Sequence, residues 1–184
     1  MNSEVISSRY AKALLAYAEE TGAGNKVYSQ AQSLVQMLQE LPQLNEFVLK
    51  HDDVALSKKS ELLSMSIGAP LVEELEKFMT LVSSHRRMEM FDAMLLSYIS
   101  KYRQAHNIKV GSLQMASQDE HLKNRLEAMF SGRTDSKVQL QMEVDPQLIG
   151  GFVFELDGYR IDASVRTRIE KIRRCLVDDS SRIV

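Results

Sequence analysis

Residues Leu148 to Leu176 read LIGGFVFELDGYRIDASVRTRIEKIRRCL, and this stretch decides how the last part of the chain folds. Gly151 to Leu156 is predicted to form a strand. Asp157-Gly158 is typical of a two-residue hairpin turn, because both residue types tolerate a left-handed backbone. Tyr159 to Ile161 then forms the return strand, so the stretch opens with a β-hairpin.

A helix follows this hairpin and begins near Asp162 or Ser164, both of which are good N-cap residues. Its apolar residues recur at intervals of four, three and four and form a narrow seam: Val165, Ile169, Ile172 and Leu176. Its basic residues outnumber its one acid, Glu170: Arg166, Arg168, Lys171, Arg173 and Arg174. Such a charge run is typical of a solvated face, and the alternatives are docking against an acidic partner or binding nucleic acid.

Upstream of this stretch, alternating apolar residues predict two further strands. Ile108 and Val110 alternate with polar residues, and the phase then shifts after Gly111, which indicates a bulged strand. The second strand alternates strictly through Val138, Leu140, Met142 and Val144. Residues 108–184 are therefore predicted to form a small α/β domain.

One helix is predicted between these two strands. Ser117 to Glu120 fits a capping box, which would start the helix. The apolar face that follows consists of Leu122, Leu126 and Met129. A polar loop from Gly132 to Lys137 ends the element.

The first 107 residues predict helices throughout. The helices are expected at about Glu4–Thr21, Lys26–Leu41, Pro42–Leu49, after an N-cap at Ser57, from Pro70 onward, and at about Met88–His106. Gly22-Ala23-Gly24 ends the first of them by allowing left-handed backbone. Short connections predict a compact bundle. The fold class is therefore mainly α, a six-helix bundle (1–107) followed by the small α/β domain (108–184).

Composition excludes several classes of protein. The formal net charge is −2, so there is no global attraction to nucleic acid or an anionic membrane. No apolar run approaches the roughly 18 residues of a membrane-spanning helix, and the N-terminus does not resemble a secretory signal. We therefore expect no direct membrane insertion. The single cysteine, Cys175, permits no internal disulfide and is interpreted as a small hydrophobe.

A search for catalytic chemistry finds no convincing constellation. No two of the four histidines have the helical spacing of metal ligands: His51, His85, His106 and His121. Asp157 and Asp162 occupy positions where a turn and a helix cap favour aspartate for structural reasons. Gly150-Gly151 is interpreted as a bend that packs closely on a helix rather than a phosphate cradle. We predict no catalytic residues, no cofactor and no metal.

Broad apolar faces point instead to protein partners. In the first helix, Ala11, Leu15 and Ala18 widen the stripe set by Tyr10, Leu14 and Tyr17. The helix after Pro70 is similarly wide, with Phe78, Met79 and Val82. A wide face is typical of an interior helix, and it could equally line a groove that receives an amphipathic helix from another chain.

The stretch Val144 to Leu176 resembles the C-terminal signature of the delta subunit of bacterial F-type ATP synthase, the counterpart of mitochondrial OSCP. The matching features are the Gly-Gly strand start, the Asp157-Gly158 turn and the helix start from Ile161 to Arg166. The N-terminal run SRYAKALLAYAEETG and the run HRRMEMFDAMLLSYISKY resemble the family's first and sixth helices. The family often has Gly where this chain has Ala163, which matters only if that position needs a left-handed backbone.

The resemblance implies a non-catalytic stator of the peripheral stalk that links the F1 head to Fo, at the cytoplasmic face of the bacterial inner membrane. The first domain would hold the N-terminal helix of an F1 α subunit, and the second would bind the C-terminal end of the b subunit. The residues expected to contact the α-subunit helix are Tyr10, Ala13, Leu14, Tyr17, Phe78 and Val82. Those expected to contact the stalk are Arg166, Arg173 and Arg174. The alternative is a nucleic-acid-binding module that uses the basic last helix.

Overall fold

The computed structural model describes residues 3–50, 54–134 and 136–180. Two compact units divide the chain, the first comprising Met1–Ala105 and the second His106–Val184. The described residues contain eight α-helices and four strands. The prediction of a mainly helical chain that also carries a small α/β part is confirmed.

Helices make up the first unit. They are α1 (Ser3–Glu20), α2 (Gly24–Glu40), α3 (Pro42–Lys50), α4 (Leu56–Ile67), α5 (Glu73–Ser84) and α6 (Phe91–Ala105), with a 3-10 helix at Met88–Met90. Fully buried side chains from several helices form its core: Leu14, Leu34, Leu38, Leu63, Leu75, Met79, Phe91, Met94, Leu95 and Tyr98. Burial of these apolar surfaces is the main favourable contribution to folding here.

Helix ends in this unit agree with the predictions in part. Gly22 adopts a φ of 71° just after α1, as expected for a left-handed helix stop. The predicted N-cap at Ser57 is wrong, since α4 begins at Leu56 and the N-cap position is Ala55. The helix expected from Pro70 begins only at Glu73, after an extended Val72. The Gln30 side chain holds this extended segment, since its amide NH₂ donates to Pro70 O (2.7 Å) and its amide oxygen accepts the Val72 N–H (2.9 Å).

A four-stranded mixed sheet forms the second unit together with two helices. The elements are β1 (Ile108–Met115), α7 (Glu120–Thr134), β2 (Lys137–Val144), a 3-10 helix (Pro146–Leu148), β3 (Phe152–Leu156), β4 (Tyr159–Asp162) and α8 (Val165–Ser180). The strand order is β2-β1-β3-β4. β1 and β2 are parallel and are joined through α7, whereas β3 pairs antiparallel with both β1 and β4.

The predicted bulge at Gly111 is wrong. β1 pairs with β2 in one unbroken register from Ile108 to Met115. Gly111 lies on the face that packs into the core, where a Cβ would stand 2.6 Å from Glu155 O and 3.0 Å from Leu140 Cδ2. Glycine is therefore required by close packing rather than by a kink in the strand.

Helix α7 also differs from its prediction. Asp119, not Ser117, caps it, because the Asp119 carboxylate accepts the Leu122 N–H at 2.9 Å. The buried face ends in Phe130, which stacks on Phe154 at a centroid distance of 4.2 Å. Met129, predicted to face inward, is 46% exposed.

Candidate partner-binding surfaces

A groove runs between α1 and α5 in the first unit. It has two adjoining parts of about 340 and 390 Å³ that share Ala13 and Leu81. One part is lined by Ala13, Leu14, Tyr17, Glu74, Lys77, Phe78 and Leu81. The other is lined by Arg9, Tyr10, Ala13, Leu81, His85 and Arg87. From the Tyr10 end of the groove to the Tyr17 end, residue numbers rise along α1 and fall along α5. The two helices that form its walls are therefore antiparallel.

The floor of the groove belongs to the core of the unit. Leu14 and Phe78 are 2% and 5% exposed, yet both line the groove. Ala13 and Leu81 are exposed on the walls, and the small Ala13 side chain leaves room for a close approach. The groove is therefore an apolar depression on a packed support, which is the shape that an amphipathic helix fits.

Tyr17 lies at one end of the groove and is positioned by a lysine. Lys77 Nζ donates a hydrogen bond to Tyr17 Oη at 3.0 Å and forms an ion pair with Glu73 at 2.6 Å. The hydrogen bond with Glu73 raises the pKa of Lys77 and lowers that of Glu73, so both groups stay charged at neutral pH.

Tyr10 lies at the other end and is held by an arginine. An Arg87 guanidinium N–H donates to Tyr10 Oη at 3.3 Å, and the guanidinium carbon lies 5.5 Å from the ring centroid. The same ring meets Phe78 and His85 edge to face, at centroid distances of 6.4 and 6.2 Å. Contacts on several sides fix the ring, so this end of the groove is formed before any partner arrives.

Five of the six residues predicted to contact the α-subunit helix line this groove together. Tyr10, Ala13, Leu14, Tyr17 and Phe78 do so. Val82 does not, since it is 0% exposed and lines neither part. A partner in the groove cannot reach Val82, and its role is to support the wall from inside the core.

Sequence reasoning missed Leu81, which is 43% exposed and lines both parts of the groove. Its position three residues after Phe78 places it on the same helical face, and that spacing was the available signal. The sequence analysis also treated two separate faces of α1 as one wide apolar stripe. The core face consists of Ser7, Ala11, Leu14 and Ala18, whereas Tyr10, Ala13 and Tyr17 form the groove wall beside it.

The second candidate surface is the start and outer face of α8. Ser164 Oγ accepts the Thr167 N–H at 3.2 Å, so Ser164 is the N-cap. The Asp162 carboxylate accepts the Ser164 N–H at 2.9 Å and the Thr167 hydroxyl at 2.8 Å. The hydrogen bonds from Ser164 and then from Thr167 lower the pKa of Asp162 to about 2.

Gly150-Gly151 brings the chain close to this helix start. Gly151 has a φ of +77°, and a Cβ there would stand 2.3 Å from Ala163 O. A Cβ on Gly150 would stand 2.9 Å from Val165 Cγ2, and Val165 N–H donates to Gly150 O at 2.9 Å. These contacts agree with a bend packed on a helix. Ala163 is not among the residues with positive φ, so alanine is harmless there.

The apolar seam of α8 is exposed. Val165, Ile169 and Ile172 are 37%, 51% and 61% exposed, and the Leu176 and Cys175 side chains lie outside the described residues. Arg166, Arg173 and Arg174 are exposed on the same helix, and Arg166 pairs with Glu170 at 3.3 Å. A run of exposed isoleucines beside arginines is typical of a surface that a partner covers.

The remaining polar candidates have structural roles. Asp157 occupies the hairpin turn with a φ of 51° and pairs with Lys109 Nζ at 2.5 Å. His85 bonds Leu81 O at 2.8 Å, and His51 lies outside the described residues. Among the described residues, no group of His, Cys, Asp or Glu is arranged to hold a metal ion. Within the same residues, no helix combines the length and apolarity needed to cross a membrane.

Comparison with known proteins identifies the family of the chain. The family model described as the ATP synthase delta (OSCP) subunit matches residues 6–176. The chain belongs to this family. ATP synthase subunit delta of Phocaeicola vulgatus is 37% identical to it over 182 residues, covering 98% of both chains. ATP synthase subunit delta of Bacteroides fragilis is 34% identical over 189 residues, covering 100% of both.

A structural neighbour supports the same fold. A chain of the Toxoplasma gondii mitochondrial ATP synthase hexamer superposes with a TM-score of 0.57 at 19% identity, covering 93% of this chain and 97% of that one. Family membership makes the chain a non-catalytic subunit of the ATP synthase peripheral stalk, as predicted from the resemblance. The nucleic-acid alternative gains no support from these comparisons.

Proposed function

We propose that the first unit acts as a six-helix bundle whose α1–α5 groove holds the N-terminal helix of an F1 α subunit. The observation that carries this proposal is the groove itself. It is apolar along its floor, and its two tyrosines are fixed by hydrogen bonds to Arg87 and Lys77. An α-helix inserted there would bury Leu81 and cover Leu14 and Phe78.

The physical demand on such a contact is slow dissociation. A stator resists rotor torque throughout catalysis, so its partners must remain bound over many cycles. Residence time depends mainly on the dissociation rate, which falls as apolar contacts become better packed. A preformed groove favours this outcome, because little side-chain freedom is lost when the partner binds.

The second unit binds the C-terminal end of the b subunit through α8. The exposed seam of Val165, Ile169 and Ile172 supports this assignment, and Arg166, Arg173 and Arg174 extend it toward an acidic partner segment. The chain would thereby join the F1 head to the stalk of Fo, at the cytoplasmic face of the bacterial inner membrane. Its contribution to ATP synthesis and proton transport is mechanical.

A direct test uses two matched leucines of the first unit. Leu81 lines the groove and is 43% exposed, whereas Leu96 on α6 does not line it and is 47% exposed. We expect Leu81→Asp to weaken binding of a synthetic α-subunit N-terminal peptide at least about tenfold by calorimetry, because a carboxylate would be buried against apolar side chains. Leu96→Asp should leave the affinity unchanged.

The same pair tests the function in membranes. ATP synthase membranes depleted of this chain should hydrolyse ATP without pumping protons, and adding back the wild-type chain or Leu96→Asp should restore pumping. Leu81→Asp should restore it poorly. Equal restoration by both variants, or a wild-type chain that fails to bind the peptide at tens of micromolar, would contradict the proposed groove function.

A further inference from the structure

The groove between α1 and α5 carries different charges at its two ends. The end near Tyr10 has the guanidinium groups of Arg9 and Arg87 on its rim, together with the His85 ring. The end near Tyr17 has Glu74 and Lys77 on its rim, with Glu73 paired to Lys77. One end thus carries two permanent positive charges, whereas the other carries a net negative charge.

These rim charges remain available to a partner. Arg9 is exposed, and its side chain forms no hydrogen bond or ion pair with any residue that the structure describes. The Arg87 guanidinium bonds only the Tyr10 hydroxyl among those residues and has no acidic partner there, so its charge is uncompensated. Glu74 likewise has no ion partner within the described part of the chain. Unpaired charges beside an apolar surface favour a partner whose own charges are opposite in sign at the matching positions.

The groove is long enough for the two ends of a bound helix to lie beside different charges. Glu74 in the first turn of α5 and His85, the residue that caps its C-terminal end, are eleven residues apart, which corresponds to about 16 Å along the helix axis. A partner helix of about three turns spans that distance. The charges at its two ends would therefore lie beside opposite ends of the groove, within roughly a few ångströms of the rim groups and well inside the Debye length.

We infer that this charge difference fixes the direction in which the helix lies in the groove. The inference rests on the proposed function of the groove. The bound segment is an amphipathic helix with acidic residues at one end and basic residues at the other. Its acidic end lies beside Arg9 and Arg87, and its basic end lies beside Glu74. Apolar contacts provide most of the affinity, and the rim charges determine which way the helix runs.

The experiment uses two synthetic peptides that share the apolar stripe of the α-subunit N-terminal segment. One carries glutamates near its N-terminus and lysines near its C-terminus, and the other carries the reverse order. Both are acetylated and amidated, which removes the terminal charges. Each carries a nitroxide label at its N-terminal end, and paramagnetic broadening of backbone amide signals is recorded in the full-length chain.

The acid-first peptide should broaden the amides of Arg9 and His85, whereas the base-first peptide should broaden those of Tyr17 and Glu74. In the double variant Arg9→Glu/Glu74→Lys, the charge difference between the two ends is reversed in sign and smaller. Each peptide should then change direction, with affinity altered by no more than about tenfold, since exposed ion pairs contribute little each.

A matched control makes the same charge changes on the same two helices outside the groove. Lys12→Glu/Glu76→Lys alters exposed residues that do not line it, and both peptides should keep their wild-type direction. If both peptides bind in one direction regardless of charge order, apolar shape sets the direction and the inference is overturned while the proposed function stands. If neither peptide binds the folded chain, the proposed function itself fails and the inference fails with it.

Discussion

The groove of the first unit and the α8 seam of the second unit are both apolar surfaces, but they are built differently. The groove is concave, and its floor residues Leu14 and Phe78 also belong to the core. The α8 seam is convex, and its isoleucines Ile169 and Ile172 are more than half exposed. In the proposed contacts, binding and folding depend on the same side chains in the groove, whereas on the seam they depend on different ones.

This difference affects how each surface tolerates change. A substitution on the groove floor leaves a cavity in the core as well as a gap under the partner. A substitution on the seam alters only the exposed surface proposed to contact the stalk. The seam can therefore vary in sequence without loss of fold, provided that the start of α8 remains attached to the Gly150-Gly151 bend.

The largest expected effect comes from Phe78→Ala, which should destabilise the first unit by about 3–5 kcal/mol and also weaken binding of the α-subunit peptide. The reason is that Phe78 is 5% exposed and contacts both Tyr10 and Phe91, at centroid distances of 6.4 and 6.0 Å. Hydrogen exchange measured by mass spectrometry on the full chain locates the loss of protection in α1 and α5.

Ile172→Ala is the contrasting change on the seam. Because Ile172 is 61% exposed, its stability effect should stay within about 0.5 kcal/mol, while affinity for a peptide from the end of the b subunit should fall. A large loss of protection in the second unit for this variant would show that the seam is part of a core after all, and the distinction between the two surfaces would be lost.

Gly151→Ala should destabilise the second unit by about 3 kcal/mol, which is at the lower end of the range expected for Phe78→Ala in the first unit. The added Cβ meets Ala163 O at 2.3 Å, and the residue must keep a φ of +77°. The matched control is Gly158→Ala, which has a φ of +79° but no atom within 4 Å of the added Cβ. It should lose only about 1–2 kcal/mol, the cost of the left-handed backbone.

Binding of the two peptides to the Gly151→Ala variant should show that the effect is confined to the second unit. The α-subunit peptide should bind normally, while the b-subunit peptide should bind more weakly, since the start of α8 is displaced from the bend. Equal stability losses for Gly151→Ala and Gly158→Ala would mean that the close approach to Ala163 does not constrain this region.

The smallest expected effect concerns pH. The folded pKa of Asp162 is about 2, below its ordinary value of 3.8, so the ionised carboxylate stabilises the start of α8. This contribution is complete above about pH 4 and is lost as the pH falls toward about 2, because over that range the unfolded state binds a proton at Asp162 more readily than the folded state does. The protection factors of the Ser164 and Thr167 amides, which are corrected for the intrinsic pH dependence of exchange, should fall in that window.

Asp162→Asn is the control for this pH dependence. An asparagine oxygen can still accept the Ser164 N–H, but the side chain does not titrate. Exchange at Ser164 and Thr167 in this variant should vary with pH only through the intrinsic chemistry of exchange. A wild-type chain that behaves like Asp162→Asn across this window would rule out the stabilising role of the carboxylate.

Local patterns predicted much of the fold because local chemistry determines those elements. The Asp157-Gly158 turn forms as expected, with both residues at positive φ. Gly22 ends α1, and Ser164 caps α8, since each needs only its own neighbours. The alternation through Val138 and Leu140 also predicted β2 correctly.

The errors occurred where packing overrides local pattern. β1 keeps one register through Gly111, which lies on the core face with Leu113 and Met115. Ile108 and Val110 lie on the opposite face, so the apolar pattern changes face without a break in strand pairing. The shift at Gly111 then resembled a bulge. Asp119 replaced Ser117 as the cap of α7 because the local sequence offers both residues, and only the position of the helix selects between them.

By itself the sequence determined the family, through the spacing of Gly150-Gly151, the turn and the helix start. Only the tertiary structure decided which apolar residues form a core and which form a surface. Val82 and Leu81 are adjacent on α5, yet one is fully buried and the other is 43% exposed. Burial depends on the neighbouring helices, which residue spacing along one helix does not specify. The groove, its floor and its charged ends exist because α1 and α5 lie side by side.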